Sequence, residues 1–424
     1  ITIILIPAFL GIFYGLITLC FIISKPKKIV SSFFSFSLFF GIFEFIRGSI
    51  LTGFPWNLIA YSFSNHLEIL SITSFIGTYG FNLFCISLFT SPAVFILRDS
   101  KKDIWVCIVF LMMPLLFYMH GSSYKETFNT SDVISYNYKV RAIGSNISLD
   151  RFYSNIDPAS AINDLIEISE PNKNEKTIFV WPEGILPEIS QKELFEYKWL
   201  FEKSFNKNHL LLIGINNQTI NKESINYFNS LSIYDHNLEL LNFYNKVNLV
   251  PFGEFLPFEN ISKAFGLRSI TNNYQSFSKG NKREIMEINR EGFSIKILPL
   301  ICYEIIYSGK IFTNSNFDLI INISEDGWFG NSIGPKQHFT HSIFRAIESG
   351  KYLLRSANNG IAAIINPLGI VEQKVEYGKS GYVDFKEAKK IQPTLFAKYG
   401  NKIFITLILL YIFIIFSFNR IKNE

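Results

Sequence analysis

The sequence predicts an α/β domain carried on a transmembrane α-helical bundle. With 48% hydrophobic and 18% charged residues and a mean hydropathy of +0.22, the chain is too apolar for an ordinary soluble protein and too charged for membrane helices alone. Long apolar runs lie at both ends, while short β-like runs alternate with amphipathic stretches in between. We therefore expect transmembrane helices in residues 1–120 and 402–419, and one folded domain in residues 136–392.

Five apolar runs are candidates for membrane spans, because each approaches or exceeds the roughly 17–20 residues that cross a bilayer as a helix. Buried core helices of a soluble protein are the alternative. The first run begins at Ile1 without a preceding basic segment, so we expect no cleaved signal peptide and further sequence upstream. The runs lie at about residues 1–23, 30–50, 69–97, 104–119 and 403–418.

Basic residues predict the orientation of these spans. They follow the first, third and fifth runs, whereas the loop TGFPWNLIAYSFSN after the second run has none. By the positive-inside rule, the basic ends are cytoplasmic. Residues 121–400 are then expected outside the cytoplasm. The basic residues are Lys25, Lys27, Lys28, Arg98, Lys101, Lys102, Arg420 and Lys422.

A pair of charges, Glu44 and Arg47, lies near the end of the second run. Charges at that depth are costly and usually paired, and the i,i+3 spacing predicts an ion pair. Two interpretations remain open: snorkelling at the membrane interface, or a polar contact with a lipid headgroup or with the domain above.

The middle of the chain reads as strands interleaved with helices, which predicts one α/β domain. The predicted strands are KVRAIGSNI, TIFVWP, HLLLIGINN, NSLSIYD, SIKILPLIC, DLIINIS and GIAAIINP. The predicted helices are SAINDLIEIS, KELFEYKWLFEKSF and HSIFRAIESGKYLLRSA.

Polar residues follow three of these apolar stretches. Glu183 comes after TIFVWP, Lys246 and Glu254 lie in FYNKVNLVPFGEFLP, and Cys302 comes directly after SIKILPLI. Each residue considered alone has a non-functional interpretation: a glutamate in a turn, a lysine on the surface and a buried thiol. Residues just past the carboxyl ends of strands converge, however. A carboxylate base, a cysteine and a lysine then make an acyl-transfer site.

The segments WPEG, YNKVNLVPFGEFLP and ICYE, in that order, resemble the Glu–Lys–Cys signature of the nitrilase, or carbon–nitrogen hydrolase, superfamily. With NISEDGWFGNSIGPKQHF downstream and EFIRGSILTGFPW in the membrane part, the chain resembles the apolipoprotein N-acyltransferase family over about residues 1–420. The resemblance implies a nitrilase-like α-β-β-α sandwich on a membrane bundle. That bundle usually has about eight helices, so the missing ones are expected at the N-terminus.

The resemblance also implies roles for individual residues. Glu183 would be the general base, Lys246 the oxyanion-stabilising lysine and Cys302 the nucleophile, while Glu254 would support the lysine or the acceptor amine. The next two residues would shape the nucleophile turn: Tyr303 and Glu304.

The implied reaction moves an acyl chain from a phospholipid, phosphatidylethanolamine, through a cysteine thioester to the N-terminal amine of a diacylglyceryl-cysteine apolipoprotein. A monomer is expected in the bacterial inner membrane, with its catalytic domain in the periplasm. We expect no nucleic-acid partner, since the chain has no block of Lys and Arg residues. We also expect no cofactor, since Walker A and GxGxxG motifs are absent. We expect no metal either, because His338 and His341 lack a third ligand and suit surface or capping positions.

An apolar arm over residues 252–277 would contact acyl chains or the membrane interface and act as a lid. A helix packed on the sandwich is the alternative. Two other functions stay open: a membrane-tethered nitrilase-type amidase with water as acceptor, and a non-catalytic lipoprotein-binding protein. The apolar residues of the arm are Phe255, Leu256, Phe258, Phe265, Leu267 and Ile270.

Overall fold

The computed structural model describes residues 2–153, 157–221, 224–257, 276–290, 292–311 and 316–420. Four members of the apolar arm, Phe258, Phe265, Leu267 and Ile270, therefore lie outside the described residues.

The apolar runs form helices that pack into a bundle. Within the described residues, five of them are long and apolar enough to cross a membrane. In the bundle, the helix of the second run packs against the helices of the first, third and fifth runs. The fourth run forms a longer helix than expected, which continues about ten residues past the apolar segment. The helices are α1 Thr2–Ser24, α2 Ile29–Arg47, α3 Leu67–Leu70, α4 Thr73–Leu97, α5 Ile104–Asn129 and, near the end of the chain, α10 Lys402–Arg420.

The charges in the second run lie inside the bundle. Arg47 Nη2 is 3.0 Å from Glu44 Oε1, and both side chains are buried. Asn82 of α4 donates to Glu44 Oε2 at 2.6 Å, and Arg47 also donates to Asn57. The predicted ion pair is confirmed. Snorkelling at the interface is wrong, because both charged side chains are buried. The amide of Asn82 links the pair to α4, and that of Asn57 links it to the loop after α2.

The domain contains thirteen strands among the described residues, with four helices around them. The strands are β1 Val133–Ser145, β2 Thr177–Val180, β3 Leu186–Ser190, β4 His209–Asn221, β5 Ser224–Asp235, β6 Leu240–Asn245, β7 Met286–Arg290, β8 Phe293–Ile301, β9 Leu319–Glu325, β10 Tyr352–Asn358, β11 Ala362–Ile365, β12 Val371–Val375 and β13 Gly381–Lys389. The helices are α6 Pro158–Ser169, α7 Lys198–Ser204, α8 Gly334–Ser349 and α9 Leu395–Tyr399.

The strands form one mixed sheet in the order β6-β5-β4-β2-β1-β10-β9-β8-β7. At its centre β1 meets β10 only through Gly144 and Ser145, so the sheet has two halves joined along a short seam. Strand β13 flanks β1 in the first half, and β11 and β12 extend the second half.

The two halves pack face to face. Alternate residues of β2 point to opposite sides, so Ile178 and Val180 enter a core shared with Ile297 and Ile321 of the second half. The other side of the first half, including Trp181, packs with α6 and α7. Helix α8 packs on the outer side of the second half, where it contacts β10 and β11. The α-β-β-α sandwich on a helical bundle is thus confirmed.

The predicted helix HSIFRAIESGKYLLRSA is wrong in its second half. Helix α8 ends at Ser349, and Gly350 follows with φ +65°, in the left-handed region that glycine adopts without a Cβ penalty. A Cβ on Gly350 would lie 2.8 Å from the Thr394 methyl group. The chain then reverses into β10, which lies between β1 and β9.

Candidate active site

Cys302 begins a one-turn 3-10 helix, Cys302–Ile306, directly after β8. Its φ is +48°, in the left-handed region, and its side chain is 9% exposed. Such a backbone costs a non-glycine residue on the order of 1–3 kcal/mol and persists only when neighbouring contacts hold it in place. The strand end and the tight turn therefore fix the direction of the thiol.

Glu304 supplies many of these contacts. It is fully buried, which alone would raise its pKa, but Arg283 and several hydrogen-bond donors lower that pKa below the usual value. The carboxylate ties the nucleophile turn to the loop after β6. Its donors, at 2.6–3.0 Å, are the N–H groups of Ile301, Val247 and Asn248, the hydroxyl of Tyr244 and the guanidinium of Arg283.

Lys246 directly follows β6 and is 1% exposed. Its Nζ lies 3.0 Å from Oε1 of Glu183 and 2.9 Å from Oε1 of Glu254. Burial opposes the charge, but the two carboxylates raise the pKa of Lys246 well above its usual value. The side chain is therefore an ammonium ion, held between two acidic groups.

A residue that sequence reasoning missed, Asn229 of β5, bridges the same two carboxylates. Its Nδ2 lies 2.7 Å from Oε1 of Glu183 and 2.8 Å from Oε1 of Glu254. Backbone N–H groups hold the other oxygens: Glu325 donates to Glu183 at 3.0 Å and Val250 to Glu254 at 2.8 Å. Both carboxylates are thereby fixed in position. Only the burial of a polar residue in a predicted strand could have pointed to Asn229.

Burial raises the pKa of one carboxyl group of the site, that of Glu254, and of the Cys302 thiol. Burial raises the pKa of Glu254 despite the nearby ammonium of Lys246. Burial, and then the charge of Glu183, raise the pKa of Cys302 well above its usual value, while Lys246 lowers it. The resting cysteine is therefore a neutral thiol, and it needs a base at the moment of attack.

Five of the six predicted site residues line one cavity of about 680 Å³, namely Glu183, Lys246, Glu254, Cys302 and Tyr303. Glu304 lies beneath it. The rest of the wall is largely apolar and includes residues from the membrane part. These apolar residues include Ile6 of α1, Phe54, Trp56, Phe152, Val250, Phe252, Phe277, Trp328, Phe329 and Ile333.

The loop after α2 closes this wall against the nucleophile turn. Tyr303 donates its hydroxyl to the carbonyl of Gly53 at 2.8 Å, and Tyr307 donates to the carbonyl of Thr52. Trp56 Nε1 donates to Gln337 Oε1 of α8 at 2.8 Å. The loop TGFPW thus belongs to the site. Its lack of basic residues had predicted only the orientation of the neighbouring spans.

The expected surface or capping position of the two histidines is wrong, since both are buried in α8. His338 Nδ1 lies 2.9 Å from Asp326 Oδ1, and its Nε2 lies 3.3 Å from the carbonyl oxygen of Cys302. His341 packs against the rings of Trp56 and Tyr61. Among the described residues, no group of three or more His, Cys, Asp or Glu side chains is arranged to hold a metal ion.

Two family models match the chain. Residues 165–383 match the carbon–nitrogen hydrolase model, and residues 1–89 match the apolipoprotein N-acyltransferase N-terminal domain. The apolipoprotein N-acyltransferase of Rickettsia bellii (strain RML369-C) is 32% identical over 395 residues, which is 92% of this chain and 76% of that protein. That of Rhodopseudomonas palustris is 28% identical over 408 residues, 93% of this chain and 75% of that protein.

Among solved structures, Nit3 of Saccharomyces cerevisiae, a member of branch 10 of the nitrilase superfamily, is similar with a TM-score of 0.40 and 16% identity. The match covers 59% of this chain and 90% of that one.

Proposed function

This chain belongs to the apolipoprotein N-acyltransferase family, and we propose that it acylates the N-terminal amine of a diacylglyceryl-cysteine apolipoprotein. The acyl chain comes from a membrane phospholipid and passes through a thioester on Cys302. Family membership and the five long apolar helices found among the described residues make it a multi-pass membrane protein.

One observation carries the proposal. The cavity that holds Glu183, Lys246 and Cys302 has a wall that is largely apolar and partly built by the membrane bundle, through Ile6, Phe54 and Trp56. Apolar surface next to a nucleophile suits a lipid acyl chain and excludes water from a thioester.

The first step loads the enzyme. Glu183 takes the proton of the Cys302 thiol, and the sulfur attacks the ester carbonyl carbon of the phospholipid. The carbonyl π electrons move to oxygen, where the ammonium of Lys246 and the backbone N–H of Tyr303 stabilise the negative charge. The intermediate collapses, the ester C–O bond breaks, and the lysophospholipid oxygen leaves with the proton from Glu183.

The second step transfers the acyl group. The acceptor amine, with a reference pKa of about 7.7–8.0, is partly uncharged at neutral pH and attacks the thioester carbonyl. Glu183 takes the proton that the nitrogen loses, an amide bond forms, the C–S bond breaks, and the proton returns to Cys302. Throughout, Glu254 and Asn229 hold Lys246 and Glu183 in place.

The finer assignments belong to the same proposal. Phosphatidylethanolamine is the donor, the protein acts as a monomer, and the catalytic domain lies in the periplasm above the bacterial inner membrane. The basic residues that follow the first, third and fifth apolar runs support this orientation.

A reconstitution tests the function. The purified protein in phospholipid vesicles receives a diacylglyceryl-cysteine peptide, and mass spectrometry follows N-acylation of its amine, with Cys302→Ala as the control. Acylated peptide with the wild type alone supports the proposal. Ammonia release from small amides without peptide acylation would replace it by the amidase function.

A further inference from the structure

The peptide unit between Cys302 and Tyr303 carries two groups that matter for acyl transfer. Its carbonyl oxygen lies 3.3 Å from Nε2 of His338. Its N–H belongs to Tyr303, the residue after the nucleophile. Because the unit is planar and trans, the carbonyl and the N–H point in opposite directions. A group that holds the carbonyl therefore also sets the direction of the N–H.

The Tyr303 N–H is placed to serve as an oxyanion donor. Tyr303 is the second residue of the 3-10 turn, where a backbone N–H has no acceptor within the helix. It is adjacent to the thiol-bearing residue and lines the same cavity as Lys246. A donor of this kind acts only if it is held in advance at the position where negative charge develops.

Two buried side chains, Asp326 and Arg355, contact the other ring nitrogen of His338. Its Nδ1 lies 2.9 Å from Asp326 Oδ1 and 3.1 Å from Arg355 Nη2, and Arg355 also donates to both oxygens of Asp326 at 2.8–2.9 Å. All three side chains are fully buried, and the Trp56 ring stacks on the imidazole at 5.6 Å. In the tautomer with its proton on Nε2, the imidazole donates to the carbonyl oxygen of Cys302, and Nδ1 accepts from Nη2 of Arg355.

We propose that His338 is a positioning residue that aims the backbone N–H of Tyr303 at the oxyanion formed when Cys302 is acylated. The proposal rests on the function proposed above. His338 touches neither the thiol proton nor the base, so it affects the tetrahedral intermediate and leaves formation of the thiolate unchanged.

Two reactions of the same sulfur separate these effects. Acylation by an ester passes through an oxyanion, whereas alkylation by iodoacetamide displaces iodide at a saturated carbon and forms none. In His338→Leu we expect the acylation rate to fall by about 10²–10³, the cost of losing one oxyanion donor, with alkylation within about threefold of wild type. In His338→Gln, whose amide can still donate to the carbonyl, we expect acylation within about tenfold of wild type.

His341 provides the matched control. It lies one turn along α8, is equally buried and packs on Trp56, but its Nδ1 has no hydrogen-bond partner in the part of the chain that the structure describes. His341→Leu should keep the wild-type ratio of acylation to alkylation. If His338→Leu does not fold, His338→Met replaces it, because methionine fills irregular space.

The outcomes are distinct. An equal fall of both rates in the apolar His338 variant, or no fall in either, overturns the positioning role. The role is also overturned if His341→Leu changes the ratio as much. A wild-type protein that is alkylated but never acylated by phospholipid refutes the proposed function itself.

Discussion

The Nζ atom of Lys246 lies 3.0 Å from Oε1 of Glu183, and both side chains are buried. The proposed general base is therefore next to the cation that we propose to stabilise the oxyanion. The charge of Glu183 opposes ionisation of Cys302, whereas that of Lys246 favours it. This arrangement keeps the thiol protonated at rest and lets proton transfer accompany attack.

Replacing either member of the pair should abolish most of the activity. Lys246→Ala removes an oxyanion donor, so we expect a loss of about 10²–10³ in the rate of acylation. Glu183→Ala removes the base and leaves the thiol protonated, so alkylation by iodoacetamide should also slow. We expect both variants to fold, and rates in vesicles with labelled phospholipid provide the measurement. Near-normal transfer in either one contradicts the assignment.

Asn229→Ala should slow acylation without removing a reacting group. The amide donates to two carboxylates, and hydrogen bonds to charged groups contribute roughly 1.5–3 kcal/mol, equivalent to about 10–10²-fold in rate. Asn217→Ala is the control, because Asn217 is also buried but donates to Asn245 instead. Equal rates in the two variants would show that the bridge has no catalytic effect.

Glu304 should make stability depend on pH. Its pKa is lowered in the folded protein from the usual value of 4.5, so its contribution is complete above that pH and is lost as the pH falls below it. Glu304→Gln should lower the free energy of unfolding at pH 7 by about 3–5 kcal/mol, as for a broken buried pair, and by less at pH 3.5.

Chemical unfolding in detergent micelles measures this difference. Glu376→Gln serves as the control, since its ion pair with Lys374 is exposed and contributes about 0–1 kcal/mol. A constant difference between wild type and Glu304→Gln from pH 7 to pH 3.5 would contradict the linkage.

The parts of the fold that sequence alone predicted are those with strong apolar runs. All seven predicted strands are present because they are rich in β-branched and aliphatic residues. Strands such as MEINR and VEQKV were missed, since they carry charges on their exposed faces and resemble loops. The sequence predicts a helix for the segment YLLRSA because it continues an amphipathic pattern, and only Gly350 marks the reversal of the chain.

The site was predicted to a similar extent. Glu183, Lys246 and Cys302 each follow the end of a predicted strand. Residues in such positions lie at the same edge of a sheet, so the sequence alone predicts that their side chains come together. Asn229, His338 and Trp56 join the site through contacts with residues on other elements. Their contacts depend on strand order and on how the bundle meets the domain, which no local pattern encodes.

The orientation in the membrane can be tested with reporter fusions. A fusion after Ser131, just beyond α5, should report an exported position, because the basic residues lie at the opposite ends of the spans. A fusion after Lys102 should report a cytoplasmic position. A cytoplasmic signal after Ser131 together with an exported signal after Lys102 would mean that the orientation is the reverse. The catalytic domain would then lie in the cytoplasm, away from exported lipoproteins.

The thioester itself should be observable. Because the thiol attacks the phospholipid before the acceptor amine is needed, the purified protein incubated with labelled phosphatidylethanolamine alone should retain acyl label. Hydroxylamine at neutral pH cleaves thioesters far faster than oxygen esters, so it should release the label, and adding a diacylglyceryl-cysteine peptide should transfer it. Cys302→Ala should never acquire it, whereas Cys107→Ala, which changes a buried membrane-helix cysteine, should label like the wild type. Label on Cys302→Ala, or transfer that proceeds with no labelled protein at any time, would contradict a covalent intermediate on this residue.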